Sequence, residues 1–284
     1  MGLDPELFFT RLSRAYPFLA LAFALTPALG CRTVVDAAVI CIVLILRGLF
    51  FIAGGAMASQ ASQVWVVIAA YNEAPVIASV VADVKRAGHR ALVVDDGSTD
   101  ATGAVAAEVG GIVVRHSINL GQGAGLQTGI EFALGEGADV IVTFDADGQH
   151  RAADIAVLID ALARQGADFA LGSRFLGTSL NQPLSRRMLL KAATLFTRLT
   201  TGLRVTDTHN GLRAMTRRGA SSINLRQNRM AHASEILHQI AASGLNYVEA
   251  PVRIEYSAYS LAKGQTLGDT LMILVDLFAR RLHR

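Results

Sequence analysis

Short apolar runs rich in β-branched residues alternate with helical segments from Val64 onward, and this alternation constrains the fold more than any other feature. Each run is short and continuously apolar, as expected of a parallel strand buried on both faces. Strands that alternate with helices indicate an α/β fold with a doubly wound, Rossmann-like, mostly parallel sheet and flanking helices. The predicted strands are 64–70, 91–95, 112–114 and 140–144, and the predicted helices between them are 74–87, 100–109 and 121–134.

Polar residues follow each of these strands directly. Ligands of doubly wound sheets bind beyond the carboxyl ends of the strands, so these residues are candidates for a functional site. Asp100 alone fits a helix N-cap better than a ligand, but capping does not explain all four segments at once. The segments are Tyr71-Asn72-Glu73, Asp95-Asp96-Gly97-Ser98-Thr99-Asp100, Asn119 with Gly121 and Gly123, and Asp145-Ala146-Asp147-Gly148-Gln149-His150.

Asp145 and Asp147 are separated by one residue at a strand end, where their carboxylates can converge. A hard divalent cation would relieve their repulsion, and oxygen ligands of this kind suit Mg²⁺ or Mn²⁺. Such an ion would bridge to a diphosphate and, as a Lewis acid, neutralise a leaving nucleoside diphosphate. A solvated turn is the alternative interpretation.

The composition indicates contact with a membrane rather than with nucleic acid. Of 284 residues, 52% are hydrophobic and 17% are charged, with a mean hydropathy of +0.40, which is apolar for a soluble enzyme. The net charge of +3 is dispersed, whereas a nucleic-acid groove needs clustered cations. Cys31 and Cys41 form no C-x-x-C pair, so we expect no zinc site and no disulfide framework. A catalytic domain at the cytoplasmic face of a membrane fits these observations.

Residues 1–60 form an apolar N-terminal segment before the first predicted strand. Of its two apolar stretches, 17–30 is short for a membrane span and 37–58 carries Arg47 at its middle. A membrane span or hairpin and a peripheral helix are alternatives. A third alternative is that the working protein starts at Met57 and the segment before it is dispensable.

Four segments together resemble a family 2 glycosyltransferase with the GT-A fold. Within that family the chain is most similar to the branch that transfers mannose or glucose to polyprenyl (dolichyl) phosphate. The resemblance implies a GT-A domain over residues 61–263 and an inverting transfer from a UDP- or GDP-sugar to a polyprenyl phosphate. The segments are VIAAYNE (67–73), VDDGSTD (94–100), the loop of Asn119, Gly121 and Gly123, and DADGQH (145–150).

The resemblance also implies roles for individual residues. The metal ligands would be Asp145, Asp147 and Gln149, and Asp147 would count among the catalytic residues. The residues implied to bind the nucleotide-sugar donor are Ala70, Tyr71, Glu73, Asp95, Asp96, Asn119, Gly121, Asp145, Ala146 and Lys263. Two residues separate Ser260 from Lys263, whereas the family's mobile-loop pattern has none or one between its serine and lysine, which leaves the contact of Lys263 with the donor diphosphate open.

Several arginines are candidates for the acceptor side. Gly172-Ser173-Arg174-Phe175 matches the branch's G-S-R-[FY] motif, whose catalytic arginine faces the acceptor phosphate. Arg186 or Arg187 would supply a second cation, and a basic face that touches lipid headgroups is the alternative for both. Residues 207–213 resemble the family's D-x-x-x-G-[FL]-R segment, which closes the acceptor side. A structural ion pair between Asp207 and Arg213 is an equal alternative.

A predicted helix over 232–243 places His232 and Glu235 on one face, because residues three apart are neighbours on a helix. In relatives that attack with a hydroxyl, an acid in this region serves as general base, so Glu235 is the catalytic candidate. An ionised phosphate acceptor would need no base. The last segment, 264–284, reads as an amphipathic helix with a basic end, which suits either a membrane surface or the catalytic core.

Other functional classes fit less well. A nucleotidyltransferase would need a glycine-rich, lysine-bearing loop where Tyr71-Asn72-Glu73 stands, and no acidic residue completes a dinucleotide-binding fingerprint after Gly121. Two alternatives stay open. One is a glycosyltransferase that acts on a hydroxyl-bearing glycan or glycolipid, and the other is a non-catalytic protein that binds sugar nucleotides.

Overall fold

The computed structural model describes residues 62–180, 184–229, 231–257 and 259, apart from the side chains of residues 185, 186 and 189. The predicted N-terminal segment, the C-terminal helix, Lys263 and the Arg186 side chain therefore lie outside the described part. The strands are β1 (Val64–Ala70), β2 (Arg90–Asp95), β3 (Ile112–Arg115), β4 (Val140–Asp145), β5 (Phe169–Leu180), β6 (Arg213–Thr216) and β7 (Tyr247–Glu255). The helices are α1 (Ala74–Arg86), α2 (Thr102–Glu108), α3 (Gln122–Gly135), α4 (Ala153–Gln165), α5 (Leu184–Thr201), α6 (Arg217–Ser221) and α7 (His232–Ser243).

The seven strands form one sheet in the order β3-β2-β1-β4-β6-β5-β7. The pairs β1–β2, β1–β4, β2–β3 and β5–β7 are parallel, whereas β6 runs antiparallel to both β4 and β5. This arrangement confirms the predicted mostly parallel α/β sheet. In register, Ala70 pairs with Asp95 and Ala69 pairs with Asp145, so three strands present their polar ends at one edge.

The core lies on both faces of this sheet, as the continuous apolar runs predict. Val66 and Ile68 of β1 belong to a cluster that contains buried residues of α1 and α4. Trp65 and Val67 belong to a second cluster with residues of α3 and α7. Burying one large apolar side chain contributes about 1.5–3 kcal/mol, so helices on both faces hold the strand ends in place.

No helix within the described residues is both long and apolar enough to cross a membrane.

Candidate active site

The loops after β1 and β2 are joined by hydrogen bonds. Asn72, with a left-handed φ of 52°, receives a hydrogen bond on its Oδ1 from the Thr99 amide at 2.9 Å and donates its own amide to Ser98 Oγ at 3.0 Å. The buried residue Glu73 donates its amide to Thr102 Oγ1 at 2.8 Å. These contacts present Tyr71 and Glu73, both predicted donor-binding residues, from a braced loop. Asp100 accepts the Thr102 amide at 3.0 Å. The N-cap of α2 is Ala101, without a side-chain capping hydrogen bond, so the predicted N-cap role of Asp100 is wrong.

Asp95 and Asp96 differ in how their oxygens are used. Asp95 is fully buried, and its Oδ1 accepts the Ser98 amide at 2.9 Å. Its Oδ2 has no hydrogen-bond partner within the described part of the chain and lies 3.6 Å from Arg115 Nε. That oxygen is buried beside the Arg115 guanidinium, and the predicted contact of Asp95 with the donor stays a prediction.

Asp96 instead organises the loop after β3. Its Oδ1 accepts the Leu120 amide at 2.9 Å, and its Oδ2 accepts the Gly121 amide at 2.7 Å. His116 Nδ1 also lies 2.7 Å from Asp96 Oδ1. A carboxylate held in this way positions Asn119 and Gly121 at the start of α3, and its predicted contact with the donor stays a prediction. No motif in the sequence marks His116 for this role.

Asp145 is held from several directions. Gln122 Nε2 donates to Asp145 Oδ1 at 3.1 Å, and His150 Nε2 lies 2.9 Å from Oδ2. His150 Nδ1 is buried without a partner among the described residues, so Nε2 is the ring nitrogen that donates to Asp145. Gly211 lies against the carboxylate and leaves no room for a Cβ. Sequence reasoning missed Gln122, because its contact with Asp145 joins α3 to β4.

The two aspartates have opposite pKa shifts. Burial would raise the pKa of the Asp145 carboxyl, but the hydrogen bond and charge of His150, with Arg213 and His232 nearby, hold the pKa below its ordinary value. Burial and the negative charge of Asp145 raise the pKa of the Asp147 carboxyl. The protein itself therefore stabilises charge on Asp145, whereas charge on Asp147 lacks an equal counterion.

The possible metal ligands at this strand end suit a divalent cation. The Gln149 amide and Nε2 donate to Asp147 Oδ1 and Oδ2 at 3.1 and 2.6 Å, which joins two of the three predicted ligands. Across 62–180, 184–229, 231–257 and 259, no three His, Cys, Asp or Glu side chains form a metal-ligand group. The fit therefore depends on two carboxylates and one amide, and Mg²⁺ often keeps positions for substrate oxygens in such sites.

Arg174 lies in a buried network rather than at an open surface. Its Nε donates to Asp207 Oδ2 at 2.6 Å, its Nη1 to Tyr256 Oη at 2.6 Å, and its Nη2 to the His209 carbonyl at 2.5 Å. The alternative ion pair between Asp207 and Arg213 is therefore wrong, because Asp207 pairs with Arg174. The predicted contact of Arg174 with an acceptor phosphate stays a prediction.

Arg213 lies near the charges of both Asp145 and Asp207. The residue is buried, and its guanidinium makes no hydrogen bond to another described residue. Burial lowers the pKa of the Arg213 guanidinium, although the charges of Asp145 and Asp207 oppose this shift. A cation with unused donors at this position can receive an anionic ligand.

Glu235 supports a neighbouring loop. Its Oε2 accepts the Gln227 amide at 2.8 Å, and both of its oxygens accept the Arg226 amide at 3.1 Å. On the same helix, His232 Nδ1 lies 2.9 Å from the Arg229 carbonyl, so Nδ1 carries the hydrogen. Burial lowers the pKa of His232, which favours a neutral ring with a lone pair on Nε2.

Two further regions of predicted function lie partly within the described residues. Arg187 is exposed on α5. Tyr259, from the segment that resembles the mobile loop, donates to Glu73 Oε2 at 2.8 Å. This hydrogen bond connects the loop's sequence to the donor side of the site.

The family model named Glycosyl transferase family 2 matches residues 65–223, which is more than half of the chain. The chain belongs to glycosyltransferase family 2. The matched residues contain all four polar strand ends and Arg174, so the family assignment confirms the resemblance inferred from those motifs.

Two curated relatives of this glycosyltransferase act on lipid phosphates according to their names. The UDP-N-acetylglucosamine–dolichyl-phosphate N-acetylglucosaminyltransferase of Methanococcus voltae is 32% identical over 77% of this chain and 94% of its own length. The polyprenol monophosphomannose synthase of Mycolicibacterium smegmatis is 36% identical over 56% of this chain and 64% of its own.

Solved structures confirm the GT-A fold of the glycosyltransferase. The glucosyl-3-phosphoglycerate synthase of Mycobacterium tuberculosis, solved with Mn²⁺, UDP and phosphoglyceric acid, matches with a TM-score of 0.61. It is 20% identical, and the match covers 78% of this chain and 80% of that chain. At this identity the likeness supports the fold, and the metal and nucleotide belong to that synthase.

Proposed function

We propose that this glycosyltransferase moves a sugar, with inversion, from a UDP- or GDP-sugar to a polyprenyl phosphate. The observation that carries the proposal is the environment of Glu235. Its two oxygens accept backbone amides of the 226–227 loop, so the acid predicted as general base already has a structural partner. An ionised phosphate attacks without deprotonation, and the two named relatives use dolichyl or polyprenol phosphates.

Each part of the site has a role in this reaction. Asp145, Asp147 and Gln149 would hold Mg²⁺ or Mn²⁺, which when bound supplies Lewis-acid stabilisation of the leaving diphosphate. Asp95 and Glu73 would orient the donor from the braced loops after β1 and β2. Asp207, through its ion pair with Arg174, would keep the acceptor side preorganised.

Arg213 is the cation best placed to meet an acceptor phosphate. The Arg174 guanidinium donates from all three nitrogens to groups of the protein, whereas the Arg213 guanidinium makes no hydrogen bond to the described residues. Its charge lies near Asp145, the first predicted metal ligand. We therefore expect Arg213→Lys to raise KM for the lipid phosphate more than it lowers kcat.

The test is a transfer assay that offers UDP- and GDP-sugars with Mg²⁺ or Mn²⁺, in the presence and absence of polyprenyl phosphate. We expect release of nucleoside diphosphate that depends on the lipid, and a product with inverted anomeric configuration. Asp147→Ala should abolish release at an unchanged melting temperature. The matched control is Asp160→Ala, which removes a carboxylate that is exposed on α4.

A hydroxyl-bearing acceptor is the second candidate, and His232 is the observation that favours it. Its neutral ring leaves Nε2 as a lone-pair acceptor near Asp145. Transfer to a glycan or glycolipid hydroxyl that His232→Gln abolishes, without transfer to any polyprenyl phosphate, would overturn the main proposal. Binding of the nucleotide sugar without release to either acceptor class would leave a non-catalytic sugar-nucleotide-binding protein.

A further inference from the structure

Helix α5 exposes a stripe of large apolar side chains. Leu184, Met188, Leu195 and Leu199 have exposed fractions of 72, 67, 58 and 76%. Because successive helical residues are about 100° apart, these four side chains fall within about 60° of one another. They form an apolar stripe of two pairs, Leu184 with Met188 in the first half of the helix and Leu195 with Leu199 in the second, here called the α5 outer face.

The opposite side of α5 is already packed on the domain. Leu190, Ala193, Thr194 and Thr197 are buried, and they project from the side of the helix away from the outer face. The helix therefore does not need the outer face for folding. An exposed apolar stripe of this kind marks an interaction site more often than a packing error.

Basic residues border the outer face on one side. Arg187, Lys191 and Arg198 are exposed and lie about 20–60° from Leu184 around the helix axis. The sequence of α5 contains four basic residues and no acidic residue. The preceding strand ends with two more exposed leucines, Leu176 and Leu180.

We propose that the α5 outer face docks this glycosyltransferase on the surface of an anionic lipid bilayer. An in-plane helix with an apolar stripe and a basic border fits the boundary between acyl chains and negatively charged headgroups. A second copy of the chain is a poorer occupant, because two copies of α5 would bring like charges together with no acidic residue on either helix to pair with them.

Docking through α5 would place the acceptor side of the site near the bilayer. Arg198 Nε donates to the Val205 carbonyl at 2.6 Å, which ties the helix to the segment leading into Asp207. Asp207 in turn holds Arg174. The inference rests on the proposed function in one respect, since a membrane-held acceptor gives the docking its purpose, but the contact with lipid can be measured without any transfer.

The experiment reads the environment of α5 in the full chain. Cys31 and Cys41 are replaced by serine, and single cysteines are introduced by Leu195→Cys and Leu199→Cys for labelling with a polarity-sensitive fluorophore. Val157→Cys on α4 is the control, because Val157 is an exposed apolar residue on another helix. We expect a blue shift at 195 and 199, but not at 157, on adding phosphatidylcholine vesicles with about 30% phosphatidylglycerol, and a smaller shift at high salt.

This readout separates α5 from any attachment through residues 1–61. Labels at 195 and 199 that stay as water-exposed as the label at 157 on vesicles would overturn the proposal. A blue shift without lipid would also overturn it. If that shift rises with protein concentration, a second copy covers the outer face, and if it does not, another segment of the same chain covers it.

A second variant connects docking to catalysis. The double variant Leu195→Glu with Leu199→Glu should lower transfer to a polyprenyl phosphate held in vesicles by at least about tenfold. Transfer to a short-chain, water-soluble polyprenyl phosphate should stay at the wild-type rate. Equal loss with both acceptors would refute the docking role, whereas absence of transfer by the wild type to either acceptor would refute the proposed function instead.

Discussion

Gly211 is the position where a single added methyl group should disturb catalysis most selectively. A Cβ at 211 would lie 2.2 Å from both Oδ1 and Oδ2 of Asp145, whereas real Cβ atoms essentially never come within 3.0 Å of such neighbours. The backbone at 211 is itself held, since its carbonyl accepts Thr143 Oγ1 at 2.6 Å. The Asp145 carboxylate would therefore have to retreat by about 0.8 Å in Gly211→Ala.

The expected effect on activity is much larger than that on stability. A displacement of about 1 Å in a positioned group can cost roughly a hundredfold in rate, so we expect kcat/KM to fall about a hundredfold. One extra methyl in a packed region costs about 1–3 kcal/mol, which a folded domain of this size can survive. The φ of Gly211 lies outside the left-handed range, so alanine adds no backbone strain.

Release of nucleoside diphosphate gives the rate, and electron paramagnetic resonance of Mn²⁺ gives the metal affinity directly. Gly135→Ala is the matched control, because a Cβ at that position in α3 meets no atom within 4 Å. The melting temperature is measured for both variants. Wild-type kcat/KM and Mn²⁺ affinity in a folded Gly211→Ala protein would refute the placement of Asp145 at the reacting centre.

Three further predictions concern the supporting network. Arg174→Ala should lower the free energy of unfolding by about 3–5 kcal/mol in denaturant titrations, since it leaves Asp207 buried and unpaired, and a smaller loss would contradict the ion pair. Burial lowers the pKa of His209 to about 4, so NMR should show a neutral ring from pH 5 to 8. Because the unfolded chain binds that proton below about pH 6.5, stability should fall by at most about 3 kcal/mol as pH drops from about 6.5 to about 4. Asp96→Asn should cost about 1–3 kcal/mol in thermal melts, because the two amides bind different oxygens of Asp96 and the NH₂ group of Asn would replace one of these acceptors with a donor. An unchanged melting temperature would contradict those contacts.

The first half of the sheet could be predicted because its strands have a strong physical signal. Residues 64–70 match β1 at both ends, and the other three predicted strands agree with β2, β3 and β4 to within one residue at each end. Strands buried on both faces must be apolar throughout, so their limits coincide with the change to polar residues. β6 spans only Arg213–Thr216 and begins with a charged residue, so periodicity alone does not indicate it.

The residue content of the site was easier to predict than its pairings. The polar residues that follow each strand predicted that Asp145 and Asp147 belong to the site, because parallel strands bring their carboxyl ends to one edge of the sheet. The partner of Asp207 depends instead on how β5 and the 205–209 segment pack. Sequence spacing suggested that Asp207 pairs with Arg213, six residues away. In the folded chain its partner is Arg174, thirty-three residues away.

The aspartate pair itself is asymmetric, and this asymmetry explains why the protein surrounds one carboxylate so heavily. His150 and Gln122 contact Asp145, with the charge of Arg213 nearby, so Asp145 stays ionised and oriented by the protein alone. Among the described residues, Asp147 accepts hydrogen bonds from Gln149 alone, and it faces the charge of Asp145. A divalent cation would therefore gain most of its new electrostatic stabilisation at Asp147, while Asp145 supplies the fixed geometry. Loss of either carboxylate should thus weaken metal binding for different physical reasons, one through orientation and the other through charge.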